Sequence, residues 1–135
     1  MDWNRCVRQF IRTVEVDEEK IASLKETASS RLKYINSVPV TSDNVSFIVE
    51  GFYEVIKELL TALLLSKGLR SRNHQCLISY FYHSFPEYEA EVYLVSQMNY
   101  LRNRLNYYGN SIEFEFYEKN KDEFMVIIKI IQKLI

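Results

Sequence analysis

Hydrophobic positions recur at helical spacing through most of the chain, and short polar breaks mark where one run ends and the next begins. Val7, Phe10, Ile11 and Val14 form a first short set, interrupted by the acidic stretch "VEVDEEK". Asp17 then stands where an N-cap belongs. Glu18 and Glu19 fill a first turn that favours carboxylates, and Ile21, Leu24, Ala28, Leu32 and Ile35 carry a second helix to about residues 36–39. The connector "SVPVTSDNVS" offers Thr41, Ser42 or Asp43 as caps for a third helix. That helix has the widest apolar stripe, through Phe47, Phe52, Val55, Ile56, Leu59, Leu60, Leu63 and Leu64. Glu54, Lys57 and Glu58 mark a polar side that reads as solvated, and Gly68 is its stop. Such a stripe predicts the central helix of a bundle.

Beyond the connector "LRSRN", a short helix is predicted from about His74 to His83. Ser84 as cap and Pro86 in the first turn open a fifth helix through Ala90, Tyr93, Leu94, Met98, Leu101 and Leu105, ending at Gly109. Ser111 is the expected cap of a last helix carrying Ile112, Phe116, Tyr117, Phe124, Ile127, Ile128, Ile131 and Leu134. Short connections favour antiparallel neighbours. The expectation is an all-α, up-and-down bundle of about five or six helices forming one domain over residues 1–135.

Composition agrees with that pattern. With 135 residues, 47% hydrophobic, and only 3 Gly and 2 Pro, the chain can bury a core and is a poor candidate for a turn-rich β-sandwich. A formal net charge of -1 excludes a globally basic nucleic-acid binder and leaves room for a local basic groove. The opening "MDWNRCVRQF" lacks the apolar core of a secretory signal, and "LLTALLLS" is too short to cross a bilayer, so no membrane association is expected. Cys6 and Cys76 form no CxxC pair and read as reduced thiols in a cytoplasm, with Cys76 a small buried hydrophobe. His74 and Cys76, two residues apart on a helix, point in different directions, so neither a metal site nor a cofactor is expected. In "YFYHSFPEYEAEVY" the interleaved Glu87, Glu89 and Glu91 would repel phosphate, which favours core or dimer packing over base stacking.

Candidate chemistry concentrates in "LRNRLNYYGN", residues 101–110. Arg102 and Asn106 lie one turn apart and Tyr108 about one turn further, so a guanidinium, an amide and a phenol are expected to meet there. Lys67, Arg70, Arg72 and His74 are candidates to extend this into a phosphate-binding patch. From residue types alone the stretch also fits an ordinary helix end, with arginines facing the negative end of the dipole and tyrosines sealing the bundle.

Across "FIRTVEVDEEKIASLKETASSRL", "FYEVIKELLTALLLSKGLRSRNHQCLISYF" and "YLRNRLNYYG", nearly the whole chain resembles the HEPN domain family, and most closely its small stand-alone prokaryotic and archaeal members. The resemblance implies a two-fold homodimer whose motif helices face one cleft. It also implies RNA or nucleotide as ligand and a small nucleotidyltransferase as partner in a toxin–antitoxin pair. Many members are metal-independent ribonucleases in which four to six residues stand between an arginine and the histidine that follows it. Arg102 matches that arginine and Asn103 the polar residue after it, but Tyr107, Tyr108 and Gly109 stand where histidine would fall. Tyrosine is almost fully protonated at neutral pH, so it is a weak base but can still donate a hydrogen bond.

The implied function is therefore a binding or regulatory component centred on Arg102, Asn103, Asn106 and Tyr108, with Arg70, Arg72 and His74 beside it. Two alternatives remain. One is a ribonuclease toxin in which Arg102 stabilises the phosphate and Tyr107, Tyr108 or His74 moves the proton. The other is a purely structural dimerisation domain.

Overall fold

The structure, a computed structural model, describes residues 2–135. Six helices follow one another: α1 (Trp3–Gln9), α2 (Glu18–Ser37), α3 (Val45–Ser66), α4 (His74–Ser84), α5 (Glu89–Tyr108) and α6 (Phe114–Leu134). A 3-10 turn (Pro86–Tyr88) precedes α5, and two-residue strands β1 (Arg12–Thr13) and β2 (Leu69–Arg70) pair antiparallel. The all-α bundle expected from the periodicity is what forms.

The central helix is α3, which packs against α2, α4, α5 and α6. Ile56, Leu59, Leu60, Leu63 and Leu64 on α3 lose essentially all solvent contact, as do Met98 on α5 and Phe124, Ile127, Ile128 and Ile131 on α6. Each such burial contributes about 1.5–3 kcal/mol. Among the described residues, no helix is long and apolar enough to cross a membrane.

Local signals set most helix ends, with corrections. Asp17 caps α2, its carboxylate accepting from the Lys20 amide at 3.1 Å. At the start of α3, Asn44 occupies the cap position, and the Thr41 hydroxyl accepts from the Asp43 and Asn44 amides. Gly109, at φ 68°, ends α5: its amide and that of Asn110 close back onto the Leu105 and Arg104 carbonyls. Ser84 is not a cap; it is the last residue of α4, and Phe85 leads into the 3-10 turn that Pro86 begins. Nor does Ser111 open α6. Ile112 is drawn into the core and its amide donates to the buried Ser46 hydroxyl at 2.8 Å, so the chain stays extended until Glu113.

Two features depart from the sequence reading. Cys6 and Cys76 are joined by a disulfide that ties α1 to α4 across 70 residues, which overturns the expectation of two reduced thiols. The segments after α1 and after α3 form the small β-ladder instead of simple connectors. Gly68, at φ 73°, permits this pairing: a Cβ there would come within 3.2 Å of the Val14 carbonyl, while the Gly68 carbonyl accepts from the Val14 amide at 2.9 Å.

Candidate nucleic-acid interface

Arg102 lies half-buried on the face of α5 that meets α3. Its Nη2 is 3.5 Å from Glu54 Oε1, its Nη1 donates to Asn103 Oδ1 at 3.3 Å, and its Cζ lies 6.0 Å from the centre of the Tyr53 ring. The other Glu54 oxygen is 2.6 Å from Lys57 Nζ. One carboxylate thus faces two cations, leaving an excess of one positive charge in a half-buried setting. Arg102 Nε is itself buried with no acceptor.

His74, the first residue of α4, joins the group through Tyr53, with ring centres 6.3 Å apart. Burial, then the charges of Lys57 and Arg102, push its imidazole below the ordinary pKa, against an opposing pull from Glu54. Burial pushes the Tyr53 phenol up to about 12, Arg102 acting the other way and Glu54 adding to the rise. Near neutral pH the site therefore holds a neutral imidazole and a protonated phenol.

Beside this cluster lies a groove of about 400 Å³ between α4 and α5, lined by Gln75, Tyr82, Asn99, Tyr100 and Asn103 among others. Asn99 is only 7% exposed and its Oδ1 has no donor. A buried orphan acceptor costs on the order of 1–3 kcal/mol unless something satisfies it. Asn99 and Asn103, one turn apart, offer amides to the edge of a planar ligand, and Tyr82 and Tyr100 present exposed ring surface.

The expected meeting of Arg102 with Asn106 and Tyr108 does not occur. Asn106 is exposed; Tyr107 and Tyr108 are 74% and 73% exposed. Tyr108 lies under Arg104, whose Cζ is 5.6 Å from its ring and 5.7 Å from that of Tyr100. The amide beside Arg102 is Asn103 and the phenol ring is Tyr53, because the side chains that reach Arg102 come from α3 rather than from further along α5.

Arg70 and Arg72 line a separate cleft with Arg12, which shares no lining residue with the groove. The reading of Glu54 and Glu58 as a solvated face is also corrected. Glu58 is 8% exposed and accepts from Arg31 Nε at 2.8 Å, and Glu54 anchors Arg102. Charged residues inside an otherwise apolar 22-residue helix were the available signal for this polar interior.

Among the described residues, no group of three or more His, Cys, Asp or Glu is arranged to hold a metal ion. Compared with family models, curated proteins and solved structures, the chain matches none.

Proposed function

We propose that this protein is a HEPN-like component that binds RNA or a nucleotide, with the Arg102 cluster holding phosphate and the adjoining groove taking a base. One observation carries the reading: a half-buried arginine in a net-positive cluster borders a groove in which a buried amide oxygen lacks a donor. A backbone phosphate would satisfy the former and a base edge the latter. In this reading the protein is a homodimer working with a nucleotidyltransferase partner in a toxin–antitoxin pair.

The proposed location is the cytoplasm, where a disulfide is unusual. Cys6 and Cys76 are both fully buried, which protects the bridge from thiolate attack.

Binding of short single-stranded RNA by fluorescence anisotropy tests the proposal. Arg102→Ala should weaken binding at least about tenfold, the scale of one lost charge-assisted phosphate contact. Unchanged affinity would remove Arg102 from the site. Glu54 keeps Lys57 as partner in that variant, so no carboxylate is stranded.

A second reading, metal-independent ribonuclease, is favoured by one feature: His74 and Arg102 both lie against the Tyr53 ring. A neutral imidazole near a guanidinium can take the proton of a ribose 2′-hydroxyl while the cation stabilises the phosphate. Cleavage of a mixed RNA pool in chelator, lost in both His74→Ala and Arg102→Ala, would make this the function. Absence of cutting by the wild type would leave binding.

A further inference from the structure

The ladder between β1 and β2 places Arg12 directly opposite Arg70, two like charges as a cross-strand pair. Such a pair is unfavourable unless something neutralises it. Arg72, two residues on from Arg70, joins both in lining a cleft of about 230 Å³ that Gln9, Phe10 and Asn73 complete. Among the described residues none of the three arginines has a carboxylate within 4 Å: the ion pairs made are Arg31–Glu58, Lys57–Glu54, Arg102–Glu54 and Lys121–Glu118. The chain has 18 acidic residues against 17 basic ones, so counter-charges are plentiful elsewhere. Their absence beside three arginines that line one cleft is a local property of this β-ladder.

The cleft is held in place from two sides. The Cys6–Cys76 bridge pins the helix before β1 to the helix after β2, and the Val14 amide bonded to the Gly68 carbonyl extends the ladder beyond the paired residues. The fold therefore fixes the backbone from which all three arginines project, which lowers the ordering cost of holding an anion.

We propose that this cleft is a binding site for a terminal phosphate, the 5′-phosphate of an RNA strand whose following nucleotides enter the Arg102 groove. A phosphate monoester carries a charge of about −1.5 to −2 near neutral pH and offers three acceptor oxygens, which suits three guanidinium groups better than the single charge of an internal diester. Consecutive residues at the start of α4 serve the two sites: Asn73 lines the arginine cleft, the His74 ring is 6.3 Å from that of Tyr53, and Gln75 lines the groove. This inference rests on the RNA reading for its ligand, although the arginine cleft itself does not.

The test compares two 3′-labelled RNA oligonucleotides of one sequence, with a 5′-phosphate and with a 5′-hydroxyl, by fluorescence anisotropy. The wild type is expected to bind the phosphorylated strand about tenfold more tightly. Arg70→Ala and Arg12→Ala should abolish that preference, Arg70→Lys should keep part of it, and Arg102→Ala should weaken both strands alike. Equal affinity for the two strands in the wild type, or a preference that survives Arg12→Ala and Arg70→Ala, overturns the proposal.

If neither strand binds, the RNA reading fails with this ligand, and titration with inorganic phosphate decides the cleft separately. Saturable shifts of arginine side-chain NMR signals, lost in Arg70→Ala, uphold a phosphate site there; no shifts overturn it.

Discussion

Arg102 is held by Glu54 and Asn103 and lies near the Tyr53 ring, yet its Nε has no acceptor, so the residue is positioned without being fully satisfied. Arginine and asparagine in "LRNRLNYYGN" were legible as chemistry because both are costly to bury near a helix end. Their neighbours were not legible: spacing along α5 says which residues share a face, and nothing about which side chains α3 brings to it. Hence Tyr53 and Glu54 were missed, and Asn106 and Tyr108 were placed beside Arg102 in error. His74 gives a prediction at this scale. Its folded pKa lies below its unfolded value, so between the two the unfolded chain binds more protons and stability falls as pH drops below about 6.5. His74→Gln should flatten that part of a denaturation-versus-pH profile; an unaltered slope would show that His74 is not its source. A bound phosphate would draw the imidazole pKa back up, so wild-type RNA affinity should rise as pH falls from 7 toward 5.5, and the rise should be absent in the same variant.

The helices were legible as elements because runs such as Val55 to Leu64 and Phe124 to Ile131 repeat over several turns. The connections were less so. Strands of two residues are too short to show alternation, and Ile112 was assigned to α6 because an apolar residue next to a helix does not reveal that it is anchored to Ser46 instead. A separation of 70 residues likewise carries no information about whether two cysteines meet. The bridge matters to the elements it joins: α1 is otherwise held to α4 mainly by Trp3, which stacks on His83 at 5.3 Å and packs against Tyr80 at 5.5 Å. Loop-closure entropy puts the stabilisation by a bridge of this span at about 4 kcal/mol. The double variant Cys6→Ser, Cys76→Ser should therefore melt roughly 10–20 °C lower by calorimetry. A shift of a degree or two would mean that the unfolded chain gains little freedom when the bridge is absent.

Net charge near zero hides a local imbalance, with arginines lacking ion-pair partners at the β1–β2 ladder and one excess positive charge in the Glu54, Lys57 and Arg102 group. Another whole-molecule feature is the outer face of α5, where exposed Tyr93, Tyr100 and Tyr107 recur every seven residues and so lie along one side of the helix. In the proposed homodimer this face is the expected contact. Tyr93→Glu, which leaves the groove residue Tyr100 in place, should then shift the protein from dimer to monomer in sedimentation equilibrium, whereas a wild type that is already monomeric would rule the dimer out. The most direct test of RNA engagement through Arg102 is the dependence of RNA affinity on salt, measured for wild type and Arg102→Ala across the same range. The expected result is a steep linear fall of log affinity with log salt for the wild type, and a slope shallower by about 0.7 in the variant, the share of one phosphate contact on a single strand. Affinity indifferent to salt, or the same slope in both proteins, would contradict a phosphate contact at Arg102.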